Sequence, residues 1–167
     1  MKGSDSTPLF DSVSSGIMGK KRRVRALAIC VFRRDNHIFV AEGYDRIRKQ
    51  TFYRPLGGGI EFGERAADTI KREVMEEIGA MVADLRYLGT LENLFVYEDE
   101  PGHEIVLVFD GAFVDSVINE DSYMVEGQDD NHILFTAMWK SLDYFRAGQA
   151  SLYPDGLLSL LEGNYES

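Results

Sequence analysis

The sequence lacks the features of several protein classes. Its single cysteine, Cys30, has no partner for an intramolecular disulfide, and no cysteine or histidine cluster with the spacing of a zinc site accompanies it. No apolar run is long enough to cross a bilayer, and the start of the chain lacks the apolar stretch of a secretory signal. These absences predict a cytoplasmic protein with no membrane partner.

Basic side chains are also few. Lysine and arginine number 18 against 28 aspartates and glutamates, which gives a formal net charge of -10. This balance argues against binding of a nucleic-acid polymer or an anionic membrane, because both attract positive surfaces. A protein so acidic needs a divalent cation or a local basic patch to bind phosphate groups. With 167 residues, 44% of them hydrophobic, the chain is long enough for one domain with a buried core.

The distribution of apolar residues predicts how the chain is organised. Residues 1–19 are rich in Ser, Gly and Asp without a hydrophobic period, so we expect a flexible tail or an added leader, followed by a single domain at 20–167. Met18 is an alternative start. Apolar and β-branched runs predict strands at 24–32, 38–41, 53–62, 85–97, 105–114 and 133–139, with turns at 35–36 and 101–102 and loops at 43–52 and 119–131.

One longer helix is predicted at 65–78. It contains no Pro or Gly, places Ile70, Val74 and Ile78 on one face, and is followed by Gly79, a residue that commonly ends helices. Two short helices are expected at 142–146 and 157–161. The order of strands, central helix, strands and short helices predicts an α/β sandwich with a mixed β-sheet.

The central helix carries an acidic cluster. At about 100° per residue, Glu73, Glu76 and Glu77 project from one side of the helix, beside its apolar face. Carboxylates so close repel one another unless a cation lies among them, and their oxygens suit Mg²⁺ or Mn²⁺. A solvated acidic face is the alternative for any Glu-rich helix. The glycine-rich stretch just before the helix favours the metal site, because its backbone can approach a phosphate or a metal.

These glutamates belong to a longer pattern. It consists of Gly58, five residues, Glu64, seven residues, Arg72 and Glu73, an aliphatic residue, one residue, Glu76 and Glu77, one residue, and Gly79. The pattern resembles the Nudix box at every fixed position, a match expected by chance on the order of 10⁻⁵ times in a chain of this length. Residues 58–80 are thus similar to MutT-like Nudix hydrolases, and the order of elements around them resembles that fold more weakly. Ala80, smaller than the usual final aliphatic, and Pro55, one residue early, depart from the family pattern.

The resemblance implies an α/β/α sandwich with a mixed sheet and the box as a loop followed by a helix. It also implies metal-dependent hydrolysis of a pyrophosphate bond in a nucleoside diphosphate-linked substrate, such as a (d)NTP, a dinucleoside polyphosphate or a nucleotide sugar. The cofactor would be Mg²⁺, with Mn²⁺ as a substitute. The partner would be a small nucleotide, and because dimers are common in the family a homodimer stays open.

The resemblance also assigns roles to residues. Metal ligands would be Glu73, Glu76, Glu77 and the backbone carbonyl of Gly57. Glu73 is the first choice for the catalytic base within the box. Arg72 would hold carboxylates or the glycine loop in place, with Glu64 as a candidate partner, or would contact substrate. Family members frequently add an acid from a later loop, and the candidates in 119–131 are Glu126 first, with Asp130 and Glu120 as alternatives.

Two further sets of residues are candidates for substrate contact. The basic residues upstream of the glycines either hold the phosphate farther from the metal or are solvated: Arg46, Arg48, Lys49 and Arg54. Six aromatic residues either stack on a nucleobase or belong to the core: Tyr44, Phe52, Tyr53, Phe95, Tyr97 and Trp139.

Two other functions are compatible with the fold: a nucleotide-sensing module without catalysis and an isomerase acting on an isoprenoid diphosphate. The complete set of acidic ligands counts against both.

Overall fold

The computed structural model describes residues 22–163, so the predicted tail lies outside the described residues. The elements are β1 (Arg25–Arg34), β2 (His37–Asp45), β3 (Gln50–Arg54), β4 (Leu56–Gly59), α1 (Ala66–Ile78), β5 (Val82–Tyr97), β6 (Glu100–Phe113), β7 (Met124–Gln128), β8 (Leu134–Ser141), α2 (Leu142–Arg146), β9 (Ser151–Leu152) and α3 (Leu157–Leu161). A 3-10 turn at Ser116–Asn119 lies between β6 and β7. Over 22–163, no helix has the length and apolarity to span a membrane.

The strands form a mixed sheet, as the sequence predicts. In its first part β1 lies parallel to β6 and antiparallel to β4, and β5 and β6 form a long antiparallel hairpin. In its second part β2 lies antiparallel to both β3 and β8, β7 pairs with β8, and β9 adds to β3 in parallel. The β1–β2 hairpin joins the two parts, with its turn at residues 35–36 as predicted. The order of elements along the chain therefore produces one α/β architecture.

Side-chain alternation along β1 divides the interior into two cores. Ala28, Cys30 and Phe32 pack toward α1, whereas Ile29 and Val31 pack toward α2 and α3. Successive residues of a strand point to opposite faces of the sheet, and both faces of β1 are covered. The result is the predicted sandwich of helices on either side of a mixed sheet.

The predicted loop at 43–52 is mostly strand. Tyr44 pairs with Thr51 and Asp45 with Gln50, so that only residues 46–49 form the turn between β2 and β3. The Asp45 carboxylate accepts hydrogen bonds from the backbone N–H groups of Ile47 and Arg48, which stabilises this short turn. These two strand ends are partly exposed to solvent and rich in charged residues. They therefore lack the apolar pattern from which a strand is recognised in a sequence.

The turn between β5 and β6 also differs from the prediction. It lies at Glu98 and Asp99, both with positive φ, rather than at residues 101–102, which lie within β6. Gly102 is needed inside the strand because the ring of Phe95 lies across it, and a Cβ there would come within 2.2 Å of that ring. A Pro-Gly pair therefore marked a close packing contact rather than a turn.

The predicted loop at 119–131 contains a strand, β7. Gly127 of β7 lies against the helix, since a Cβ at this position would come within 2.9 Å of the backbone oxygen of Glu77. A five-residue strand with a glycine and an exposed glutamate has too weak a pattern to be recognised alone. Its pairing with β8 brings the following residues, 129–131, to the side of α1.

Candidate active site

The helix α1 presents its acidic residues at the edge of the first core. Ile70 and Val74 are fully buried in that core, and Glu73 and Glu77, one turn apart, are 2% and 8% exposed. Glu76 is exposed beside them. The helix ends at Gly79, whose φ of 70° is the left-handed conformation expected there. Two glutamates of the predicted metal site are thus held in a largely water-excluded place.

The glycines of β4 permit a close approach of the backbone to these acids. A Cβ at Gly58 would lie 2.4 Å from a carboxylate oxygen of Glu73, so no larger residue fits. At Gly57, with φ of 138°, the backbone N–H lies 3.4 Å from Oε2 of Glu77. The backbone of Gly57 therefore lies beside the carboxylate of Glu77. The family resemblance implies that the Gly57 carbonyl and Glu77 are both metal ligands.

Arg72 is the centre of an ion-pair network. Its Nε and Nη2 donate to the two carboxylate oxygens of Glu64 at 2.9 and 3.0 Å, and Nη2 also donates to the carbonyl of Gly59 at 3.0 Å. Its Nη1 donates to Glu73 at 2.9 Å and to Glu76 at 3.2 Å. The guanidinium thus ties the glycine-rich loop to the helix and orients two acids of the cluster.

The Glu64 carboxylate is strongly stabilised in its charged form. The hydrogen bonds from Arg72, and then that from the Thr69 hydroxyl at 2.7 Å, lower the pKa of Glu64 to about 2. Glu64 is therefore ionised at neutral pH and fully engaged inside the protein. This arrangement fits a structural role at the start of the helix.

Glu77 and Glu73 have the opposite electrostatic environment. Burial raises the pKa of Glu77 to about 8, against an attraction from Arg54 that acts in the other direction. Burial also raises the pKa of Glu73, and the nearby charge of Asp130 adds to this, while the hydrogen bond from Arg72 opposes it. These carboxyl groups lack enough positive charge to compensate for lost hydration, which is the condition that a bound cation relieves.

Three acids meet at the mouth of this site. Within the described part of the chain, carboxylate oxygens of Glu73, Glu76 and Asp130 lie within 4.8 Å of one another. Glu73 is buried, while Glu76 and Asp130 are exposed. The donors are all hard oxygens, converge from a helix and a loop, and leave one side open to solvent, as a Mg²⁺ or Mn²⁺ site that also takes a phosphate requires.

The three acids predicted for the later loop lie in different places. Asp130 is in the cluster. Val125 and Gly127 of β7 face the first core, so Glu126 between them projects from the opposite face and is exposed. Glu120 follows the 3-10 turn and is exposed. The structure therefore brings only Asp130 of these candidates to the box glutamates.

The four basic candidates also separate. Arg54, at the end of β3, lies 3.8 Å from a carboxylate oxygen of Asp129 and acts electrostatically on Glu77. The other three, Arg46, Arg48 and Lys49, form the exposed turn between β2 and β3. The structure brings Arg54 to the acidic cluster and leaves the turn residues at the surface beyond it.

The aromatic candidates divide between core and surface. Tyr53 and Trp139 are buried, and the indole N–H of Trp139 donates to the carbonyl of Ile118 at 2.7 Å, so both are core residues. Phe52 and Tyr97 contact each other edge to face with ring centroids 5.8 Å apart. Tyr44 is half exposed. Phe52 projects from the same face of β3 as Arg54, two residues later.

Sequence reasoning missed one residue of the site, Asp129. Its carboxylate accepts N–H groups of Asn131 and Ile133, which closes a tight turn and directs the neighbouring Asp130 toward the helix. An aspartate followed two residues later by Asn, before an apolar strand, is a local signal for such a turn. This turn signal could have distinguished Asp130, which directly follows Asp129, from the other acidic residues of 119–131.

Comparisons with known proteins agree with this geometry. A family model of the NUDIX domain matches residues 21–154. A NUDIX hydrolase from Nitrosomonas europaea is 19% identical, with 84% of this chain and 87% of that chain covered and a TM-score of 0.59. A MutT NUDIX hydrolase from Burkholderia pseudomallei is 17% identical, with coverage of 73% and 86% and a TM-score of 0.51. A mutator MutT protein from Bacillus halodurans is 16% identical, with coverage of 86% and 84% and a TM-score of 0.52. At these identities the solved structures establish a shared fold.

Proposed function

The chain belongs to the Nudix family, and from this premise we propose that it hydrolyses a pyrophosphate bond in a small nucleoside diphosphate-linked substrate. The candidates are a (d)NTP, a dinucleoside polyphosphate and a nucleotide sugar. One observation carries the proposal: three carboxylates converge beside the glycine-rich loop with the buried Glu77 next to the loop backbone, and burial raises the pKa of both Glu73 and Glu77. A bound divalent cation would compensate the charge of these carboxylates and would itself attract a phosphate group of the substrate.

The residues present fit Mg²⁺, or Mn²⁺ in its place. Oxygens of Glu73, Glu76 and Asp130 already lie within 4.8 Å of one another, and the buried Glu77 lies beside the Gly57 backbone. The proposed ligands are Glu73, Glu76, Glu77 and the carbonyl of Gly57. When bound, the cation would neutralise pyrophosphate charge and lower the pKa of a water molecule.

The chain's own groups would divide the remaining work. Glu73 is the proposed base, since it is buried in the cluster and its carboxylate is oriented by the hydrogen bond from Arg72. Arg72 is a positioning residue, because all its donors are engaged by Glu64, Gly59 and the cluster acids. Arg54 would hold the phosphate more distant from the scissile bond.

For the additional acid, the geometry favours Asp130. It lies in the cluster, whereas Glu126 projects from the other face of β7. The loop that holds Asp130 is exposed, so it can adjust when substrate binds. Glu126, the first choice from sequence, remains a prediction, and the comparison of the two variants described below decides between them.

A panel of nucleotides tests the proposal. Phosphate or nucleoside monophosphate release would be measured with Mg²⁺, with Mn²⁺ and with EDTA, for the wild type and for Glu77→Gln. We expect release from at least one nucleotide that EDTA abolishes and Glu77→Gln strongly reduces. Binding of a nucleotide without any turnover would instead support the sensing module.

We further propose that the enzyme works on free nucleotides in the cytoplasm. The formal charge of -10 disfavours a polyanionic polymer, and the lone cysteine is buried and unpaired, as suits a reducing compartment. A fluorescence anisotropy titration with labelled single-stranded and double-stranded DNA tests the first point, and we expect no binding at physiological salt. Sedimentation velocity would measure whether the protein is a monomer or a homodimer.

A further inference from the structure

A pair of aromatic side chains, one half-buried and one exposed, lies along the strand that carries Arg54. Phe52 and Arg54 are alternate residues of β3 and therefore project from the same face of that strand, while Tyr53 between them is buried on the other face. Tyr97, the last residue of β5, meets the ring of Phe52 at 5.8 Å between centroids. We call Phe52 and Tyr97 the aromatic pair.

The pair is held firmly. The Phe52 ring lies flat across Gly43, its partner on β2, where a Cβ would come within 2.3 Å of the ring. Phe52 also contacts Tyr153 edge to face, with centroids 5.7 Å apart. A rigid ring loses little freedom when a ligand binds, so it makes an effective platform.

Asp45 lies near the tip that carries Tyr97. Its carboxylate accepts hydrogen bonds from the backbone N–H groups of Arg48 and Ile47, and these bonds, with a smaller contribution from the backbone at Glu98, lower the pKa of Asp45. Asp45 is almost fully buried. The tip of the β5–β6 hairpin therefore lies close to the β2–β3 turn, where Tyr97 contacts Phe52.

The pair is continuous with the acidic cluster. Arg54 follows Phe52 on the same face of β3, and its Nη2 lies 3.8 Å from a carboxylate oxygen of Asp129, the residue before Asp130 of the cluster. Arg54 thus lies between an aromatic surface and a site for cations and phosphates. A ligand with a planar ring at one end and phosphates at the other matches this order.

We propose that Phe52 and Tyr97 form the subsite that holds the base of the nucleotide, with Arg54 bridging from that base to the phosphates. The inference rests on the proposed function and adds the location of the base to it. Tyr97 is 37% exposed, whereas the other aromatic residues considered for this role at strand centres, Tyr53 and Trp139, are buried. Every base offers a π face, so stacking alone selects a nucleoside without selecting one base.

Kinetics of four variants provide the first test. Tyr97→Leu should raise KM for the nucleotide hydrolysed best by about tenfold, the loss expected from one stacking partner, and leave kcat within about twofold. Tyr97→Phe keeps the ring and should restore the wild-type KM. Phe52→Leu should resemble Tyr97→Leu. Tyr87→Leu is the matched control, because Tyr87 is an exposed tyrosine of the same strand, ten positions away.

Ligand-observed NMR provides a readout that does not depend on turnover. With AMP and Mg²⁺, saturation of the protein's aromatic protons should transfer to the base protons H2 and H8 in the wild type and in Tyr87→Leu. The transfer should disappear in Tyr97→Leu and persist in Tyr97→Phe. Equal transfer in wild type and Tyr97→Leu, together with an unchanged KM, overturns the inference.

The two proposals fail in distinguishable ways. If Glu77→Gln abolishes turnover but the Tyr97 variants bind and react as the wild type does, the hydrolase proposal stands and the base subsite is wrong. If the wild type hydrolyses nothing but AMP still shows the Tyr97-dependent transfer, the base subsite stands without catalysis. Loss of binding in Tyr97→Phe as well as in Tyr97→Leu would show disturbed packing and also overturn the stacking role.

Discussion

The two ends of the box helix use the same amino acid in opposite ways. At its start, Glu64 receives two hydrogen bonds from Arg72 and one from Thr69, and its pKa falls to about 2. At its end, Glu77 is buried, Arg54 and the N–H of Gly57 compensate this burial only in part, and the pKa of Glu77 rises to about 8. The first end is electrostatically complete within the protein, whereas the second requires something from outside. We therefore propose that the end carrying Glu77 is the functional end of the helix.

Removing the charge at the incomplete end should have the largest effect. Glu77→Gln should lower kcat by roughly 10²-fold or more, because a charged metal ligand is lost while the shape is kept. Measurement is by steady-state kinetics at saturating Mg²⁺. Glu92→Gln, which alters an exposed glutamate of β5, is the control and should retain full activity. Glu77→Gln activity within about threefold of wild type would contradict the ligand role.

The free energy of unfolding of Glu77→Gln relative to the wild type should increase with pH, because the pKa of Glu77 in the folded wild type is raised. Without metal, between the usual value of 4.5 and about 8, folded Glu77 retains a proton that the unfolded chain has lost. The free energy of unfolding of the wild type therefore falls as pH rises through this window. In EDTA, the free energy of unfolding of Glu77→Gln relative to that of the wild type should increase by at least about 1 kcal/mol between pH 5 and pH 8.

Urea unfolding at several pH values measures this difference. Glu64 is common to both proteins and acts in the other direction: its contribution is present above 4.5 and is lost as pH falls toward 2. It therefore cancels in the comparison. A variant that is less stable than wild type at pH 8 in EDTA would show that Glu77 serves the fold rather than the site.

The acids of the later segment offer a smaller effect. Asp130→Asn should lower kcat by about tenfold, because one carboxylate of the cluster is removed, and Glu126→Gln and Glu120→Gln should change it less than twofold. All three would be compared at saturating Mg²⁺. The reverse ranking, with Glu126→Gln the slowest, would restore the sequence-based choice and imply that β7 rearranges when substrate binds.

Arg54 should show the smallest change and mainly in binding. Arg54→Ala should raise KM several-fold with kcat nearly constant, if its role is to hold a remote phosphate. Lys49→Ala, in the turn before β3, is the matched control for a lost surface charge. Equal losses in kcat and kcat/KM would instead assign Arg54 to the transition state, and no change would assign it to the solvated surface.

Much of the fold was predictable from local patterns. Apolar, β-branched runs on either side of residues 35–36 predicted the β1–β2 hairpin, and helical spacing followed by Gly79 predicted α1 to within one residue. The short helices Leu142–Arg146 and Leu157–Leu161 have the predicted bounds. The errors lie where a tertiary contact overrides local preference: Gly102 under the Phe95 ring and Gly127 against α1 both occupy strand positions. A glycine that serves packing is indistinguishable, in sequence, from one that serves a turn.

For the site, the sequence by itself determined the spacing of Glu73, Glu76 and Glu77 and their pairing with the upstream glycines. Helix geometry fixes which residues of one helix lie together, so no distant information was needed. Only the tertiary structure decided which of the later acids reaches the cluster, that Arg54 of the four upstream basic candidates lies beside it, and that Phe52 meets Tyr97. Those positions depend on the pairings of β7 with β8, β2 with β3 and β5 with β6. Such pairings reverse the direction of a side chain with each shift of one residue, which is why one-residue neighbours such as Gly127 and Glu126 face opposite sides.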